Sequence, residues 1–177
     1  MLFTSPVFLF AFLPITLAGF LLALRIGKPR LVTPWLLAAS MVFYAWWSPI
    51  FLVLLVASTL VNWFCARAME TRPRDSAQRK AIFIAGLVWN LGLLAIFKYA
   101  DFFIDTVDRV TGANWPLLHI ILPLGISFFT FQKIAYLADI HAGHATSGRL
   151  LDFALFVFFF PQLIAGPIVH HAEVMPQ

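Results

Sequence analysis

Within the apolar stretch LPLGISFFTFQKIAYLADI, Gln132, Tyr136 and Asp139 are spaced i, i+4, i+7, with Lys133 beside Tyr136. At 100° per residue that spacing puts an amide, a phenol and a carboxylate on one helix face. A polar stripe down an apolar helix must face protein or a wet cavity, because lipid leaves it unsatisfied. Lys133 is the sharpest single residue of the set. A charge at membrane depth marks a candidate functional site. The alternatives are a long side chain reaching toward the headgroups, a structural ion pair, or a place on a polar tunnel.

A second unusual stretch is FFFPQLIAGPIVHH, residues 158–171. Pro161 removes an amide donor and releases the carbonyl four residues back, that of Val157. Gly166 precedes Pro167 and is pushed out of the helical region. A helix from Leu151 to Ala165 would be about 22 Å long, short of a hydrocarbon core of about 30 Å. Irregular backbone survives at that depth only inside protein or along a wet cavity. Pro161, Gln162, Gly166, Pro167 and His170 therefore join Gln132, Lys133, Tyr136 and Asp139 as candidate tunnel-lining residues. Gln162 could satisfy a released backbone group or face a polar ligand. Pro123 and Gly125 repeat the pattern of breaks.

Other reactive side chains carry less. His141 and His144 have a metal-ligand spacing but no third ligand, so no metal site is assigned. His170 and His171 are adjacent and point apart, which weakens an acid–base pair. His119 reads as an interfacial residue. Cys65 is alone in an apolar run and reads as a small buried hydrophobe. Asp101, Asp105 and Asp108 invite a metal or general-acid reading; the ordinary one is a solvated helix face. No nucleophile elbow, zinc-protease, P-loop or dinucleotide motif is present. The residues alone leave an enzyme, a transporter and an assembly subunit open.

The chain that must position these residues is 62% hydrophobic and 11% charged over 177 residues, with a mean hydropathy of +0.90. That is too little polar surface for water, and it defines an integral membrane protein. Six apolar stretches stand out, near 5–24, 31–47, 50–66, 81–99, 117–140 and 150–169. Pro14 predicts a kink in the first, Pro34 falls in the opening turn of the second, and Ser48-Pro49 makes a tight reversal. Phe102, Phe103, Val107 and Val110 recur at helical spacing between spans four and five, which predicts a short amphipathic helix on the outer surface. Trp46, Trp47, Trp89 and Trp115 read as interfacial anchors. No repeat or linker divides the chain, so a single membrane domain is expected.

Lys and Arg sort by side. One side receives Arg25, Lys28, Arg30, Arg67, Arg72, Arg74, Arg79, Lys80 and Arg149, and the other only Lys98 and Arg109. The richer side is cytoplasmic by the positive-inside rule, which puts the N-terminus outside. This distribution follows topology and does not suggest nucleic acid. Membrane lipid is the expected partner.

ILPLGISFFTFQKIAYLADI followed by LLDFALFVFFFPQLIAGPIV resembles the membrane-bound O-acyltransferases, in their bacterial alginate O-acetyltransferase-like branch. FYAWWSPIFLVLLVASTLVNW and FKYADFF fit the same branch. The resemblance implies an all-α polytopic bundle with broken or re-entrant helices, of which this chain is the N-terminal part. It implies transfer of an acyl group, acetyl above others, from a cytoplasmic donor to hydroxyls of an extracytoplasmic polysaccharide such as alginate. Acetyl-CoA or an acyl carrier would be the donor, no cofactor would be bound, and the setting would be a bacterial cytoplasmic membrane. Extracytoplasmic polysaccharide-modification proteins are plausible partners. Relatives usually have Arg where this chain has His170. The family's catalytic histidine would lie downstream of Gln177, so no catalytic residue is assigned and the chain alone is expected to be inactive. The competing readings are a non-catalytic membrane subunit, a transporter-like half, or a truncated remnant.

Overall fold

Apolar segments with no water to pair their amides must close their hydrogen bonds internally. The computed structural model describes residues 4–112 and 115–165, and among these every regular element is a helix. A π-helical turn, Phe8–Phe12, leads into α1, Leu13–Arg25. The kink expected at Pro14 takes this form. Pro14 has no N–H for the carbonyl four residues back, and the Leu13 amide just before it reaches back five residues to Phe8.

α2, Val32–Trp47, carries Pro34 in its first turn. The Ser48-Pro49 reversal forms as expected. Ser48 leaves the helical region, and its hydroxyl accepts the Phe51 N–H at 3.5 Å, capping α3, Pro49–Glu70. Ser76 does the same for α4, Ala77–Thr111, accepting the Arg79 N–H at 3.2 Å.

α4 differs from expectation. The fourth span and the predicted amphipathic surface helix are one helix of 35 residues, about 52 Å long. No Gly or Pro interrupts residues 99–111, so nothing ends the helix until Gly112, which turns left-handed at φ 68°. α5 is shorter than expected. It runs Ile126–Ala142, and residues 115–125 ahead of it are irregular. Pro123 and Gly125, the latter at φ 71°, hold that approach off the helical path. α6, Leu150–Phe158, and α7, Phe160–Ala165, follow.

Among the described residues, three helical stretches are long and apolar enough to cross a membrane: Phe8–Arg25, α3 and α4. The chain is an all-α membrane bundle. Its core gathers Tyr44, Leu55, Met69, Phe129, Leu137, Ile140, Phe153 and Phe156, with α5 packed against α3, α4 and α6. A second cluster stacks Phe8, Phe12, Phe43 and Phe160 with ring centroids 5.3–6.1 Å apart.

Side-chain ties define two ends of the bundle. At one, Arg79 in the first turn of α4 is buried and donates to the carbonyls of Met69 at 3.1 Å, Arg72 at 3.3 Å, His141 at 3.3 Å, and Ile140. One guanidinium thus closes the C-terminal ends of α3 and α5, where carbonyls lack helical donors and the helix dipoles favour a cation. At the other end, the Tyr44 hydroxyl donates to the Leu124 carbonyl at 3.0 Å, tying the last turn of α2 to the approach of α5. Asp101 accepts the N–H groups of Leu118 at 2.7 Å and Ile120 at 3.1 Å, and Asp108 accepts that of Trp115 at 3.0 Å. α3 and α5 therefore finish at the end where α4 begins, as successive crossings require.

Candidate functional site

The polar stripe of α5 faces protein. Gln132, Lys133 and Tyr136 are each no more than 1% exposed, while Phe131 on the opposite face is 47% exposed. Each buried polar group meets a different neighbour. Gln132 Nε2 donates to the Phe156 carbonyl of α6 at 3.0 Å. Lys133 Nζ donates to the Ser58 hydroxyl of α3 at 2.6 Å and lies 4.5 Å from the centroid of the Phe129 ring. The Tyr136 hydroxyl donates to the Ser147 carbonyl at 2.9 Å, and its ring stacks on Phe153 at 4.0 Å. Ser147 is held in turn by Glu70, which accepts its N–H at 2.5 Å and its hydroxyl.

Among the described residues Lys133 has no ion-pair partner, and its side chain is buried. Among the described residues the one ion pair is the exposed Arg109–Asp105, at 2.8 Å. The ammonium instead uses a hydroxyl and an aromatic face, the partners that a bundle interior can offer. Asp139 is half-buried, and its carbonyl accepts the His144 N–H at 2.9 Å where α5 ends.

A pair that sequence reasoning missed extends this interior. Asn62 of α3 and Asn90 of α4 exchange amide hydrogen bonds at 3.2 and 2.6 Å. Each also donates to the carbonyl one turn back, Ser58 at 2.8 Å and Gly86 at 2.8 Å. The signal was present: an Asn in the middle of each of two apolar runs calls for a partner on a neighbouring helix. Arg79 was likewise legible only as a topology charge, since nothing local announces a guanidinium folded under two helix ends.

The helix break lies two residues earlier than the proline suggested. Phe159, at φ −52° and ψ 106°, leaves the helical region, so α6 ends at Phe158. Pro161 then falls in the first turn of α7, where a missing N–H costs no helical bond. In an unbroken helix the Phe160 N–H would donate to the Phe156 carbonyl, four residues back. Instead, Phe156 accepts from Gln132, and the Phe160 N–H donates to the Ser40 hydroxyl of α2 at 3.4 Å. Gln132 meets the Phe156 carbonyl that the break leaves. Gln162 is half-buried, with its N–H donating to the Phe159 carbonyl at 3.0 Å. Because Phe156 can only accept, the Gln132 amide orientation is fixed, and its Oε1 is buried with no partner among the described residues. Gly166, Pro167, His170 and His171 lie outside the described residues.

Two apolar grooves flank the break. One of about 170 Å³ lies between α2, α3 and α6 and includes Met41, Thr59, Ala154 and Phe158. Another of about 230 Å³ lies between α1, α2 and the break and includes Thr16, Leu36, Phe160 and Pro161. Of the candidate lining residues, Pro161 borders the second; Gln132, Lys133 and Tyr136 border neither. The carboxylates of the α4 extension are structural ties: Asp101 and Asp108 hold residues 115–120, and Asp105 pairs with Arg109. His141 stacks on Phe83 at 4.6 Å, and among the described residues no three His, Cys, Asp or Glu side chains gather.

This architecture is that of a polytopic membrane helix bundle tied by interior polar groups. Over its whole length the chain is 41% identical to a peptidoglycan O-acetyltransferase of Helicobacter pylori, covering 38% of that protein. It is 39% identical to a probable alginate O-acetylase of Pseudomonas aeruginosa, covering 34% of it, and 38% identical to the one from Azotobacter vinelandii, covering 36%. No family model and no solved structure matches. These relatives fit the resemblance of the chain to the membrane-bound O-acyltransferases, in their alginate O-acetyltransferase-like branch. It spans little more than a third of the length of the curated relatives it matches.

Proposed function

We propose that this chain forms the N-terminal helices of an enzyme that moves an acetyl group from a cytoplasmic donor to hydroxyls of an extracytoplasmic polysaccharide. The observation that carries this reading is 36–41% identity, over the whole chain, to proteins named as O-acetyltransferases of peptidoglycan and alginate. The chemistry requires a base to take the proton of the attacking hydroxyl and donors to steady the developing oxyanion. Among the described residues, His119 lies on a connector, and His141 and His144 lie at or beyond the last turn of α5. None is buried beside Gln132 or the helix break. As the resemblance implies, the base is assigned to a part of the enzyme beyond this stretch. The role of this stretch is positional: α5 and the α6–α7 break form one wall of the acyl-transfer path. Acetyl-CoA or an acyl carrier serves as donor, and extracytoplasmic polysaccharide-modification proteins serve as partners.

The site of action is the bacterial cytoplasmic membrane, with the Arg79 end of the bundle inside and the N-terminus outside. Cysteine labelling tests this orientation. In a Cys65→Ala background, an impermeant maleimide added to intact cells labels Thr106→Cys and spares Asp75→Cys; the opposite pattern rejects the orientation. The 177-residue chain alone yields no acetyl ester on exported polymer, and ester formation by it would reject the purely positional role.

A further inference from the structure

We infer that the α6–α7 break is a two-state joint, held in its broken form by the pair Ser40 and Gln132. A straight helix would join the Phe160 N–H to the Phe156 carbonyl, and the broken form gives each of these groups to a side chain on a different neighbouring helix. The exchange is one backbone hydrogen bond against two side-chain hydrogen bonds. The straight form also satisfies both backbone groups, but it carries Pro161 inside a helix and leaves the buried Gln132 amide without its Phe156 partner, so it is the minor state.

The position of Phe160 shows what the exchange moves. Its ring sits among Phe8, Phe12 and Phe43 at 6.1, 5.3 and 5.5 Å, which fastens α7 to the π-helical turn Phe8–Phe12 and to α2. Straightening at Phe159 redirects the backbone at residue 160 and withdraws this ring from its cage. Both flanking grooves change shape with it, since Phe158 borders one and Phe160 the other. Ser40 is suited to release the amide because its hydroxyl keeps a second bond, donating to the Leu36 carbonyl at 2.8 Å. Gln132 is suited to release the carbonyl because its Oε1 lacks a partner among the described residues, so any incoming O–H or N–H donor competes for the orientation of the whole amide.

The test is ¹⁹F NMR of the full chain in lipid nanodiscs, with 4-fluorophenylalanine at position 160 and, in a parallel sample, at the buried α6 residue Phe153. Ser40→Ala and Gln132→Met each remove one side-chain bond. Each is expected to raise the same displaced Phe160 resonance about fivefold in population, the effect of one hydrogen bond of about 1 kcal/mol. The Phe153 resonance stays in place, and Thr106→Ala, which removes an exposed side-chain bond to the Phe102 carbonyl on the α4 extension, leaves Phe160 unmoved. The inference is overturned if Phe160 keeps its original resonance in both variants. It is equally overturned if Phe153 and Phe160 shift together, which is general loosening of the bundle.

Discussion

Lys133 Nζ lies 2.6 Å from the Ser58 hydroxyl, deep between α5 and α3, with no carboxylate within ion-pair distance among the described residues. Burying an ammonium is costly, and the hydroxyl is what makes it tolerable. Ser58→Ala should therefore destabilise the bundle by about 1–3 kcal/mol. Lys133→Met should cost less than Ser58→Ala, and the double variant should recover most of the loss. Reversible unfolding in mixed micelles measures the cycle. Additive losses would mean that the two side chains act independently.

Arg79 reaches four carbonyls at two helix ends, a span that matches a planar fork with several donors. Lysine offers one compact ammonium and cannot bridge both ends. Arg79→Lys should lower stability by about 2–3 kcal/mol, nearly as much as Arg79→Ala. Equal stability of Arg79→Lys and wild type, read from thermal unfolding in detergent, would refute the clamp.

Gly19 gives α1 and α2 their close approach. A Cβ at residue 19 would overlap the Trp35 ring, which is pinned because its Nε1–H donates to the Thr16 carbonyl at 2.9 Å. A rigid, anchored ring cannot yield as a flexible chain end can. Gly19→Ala should cost about 1–3 kcal/mol, and adding Trp35→Leu should restore part of it. A neutral Gly19→Ala would show that α1 does not dock as described.

Asp101 accepts the N–H groups on both sides of His119, which sits at the positive φ of 48°. Its carboxylate thereby holds a backbone turn that a β-carbon disfavours. Asp101→Ala should speed proteolytic nicking at residues 115–122 by tenfold or more, at about 1.4 kcal/mol per decade, while the bundle's unfolding midpoint changes little. His119→Gly, which relieves the backbone, should leave nicking near the wild-type rate. Cleavage unaffected by Asp101→Ala would mean that the connector is held by something else.

How much of this could be read from residues alone depends on the range of the interaction. Caps and reversals are local, so Ser48-Pro49 and the Pro34 opening stood in the sequence. The stripe of Gln132 and Tyr136 was legible as a face turned to protein, because helical spacing is local too. Its partners were not: Phe156, Ser58 and Ser147 are distant in the chain. The break between α6 and α7 was expected, but at the proline. Placing it at Phe159 requires knowing that Ser40 and Gln132 wait beside it. The α4 extension was misjudged because its composition turns amphipathic while its backbone has no reason to stop. The orientation rests on charge, and Gly166, Pro167 and His170 lie outside the described residues.

Acetyl ester content of exported alginate is the most direct measure of the central claim, that this stretch supplies a working part of a membrane O-acetyltransferase. The 177-residue chain would replace the matching stretch of the Pseudomonas aeruginosa alginate O-acetylase in cells lacking their own copy. Esters should appear well above the deletion background, and Gln132→Met in the chimera should reduce them severalfold at unchanged membrane abundance. A chimera that accumulates in the membrane at the native level yet leaves the polymer free of ester would contradict the account.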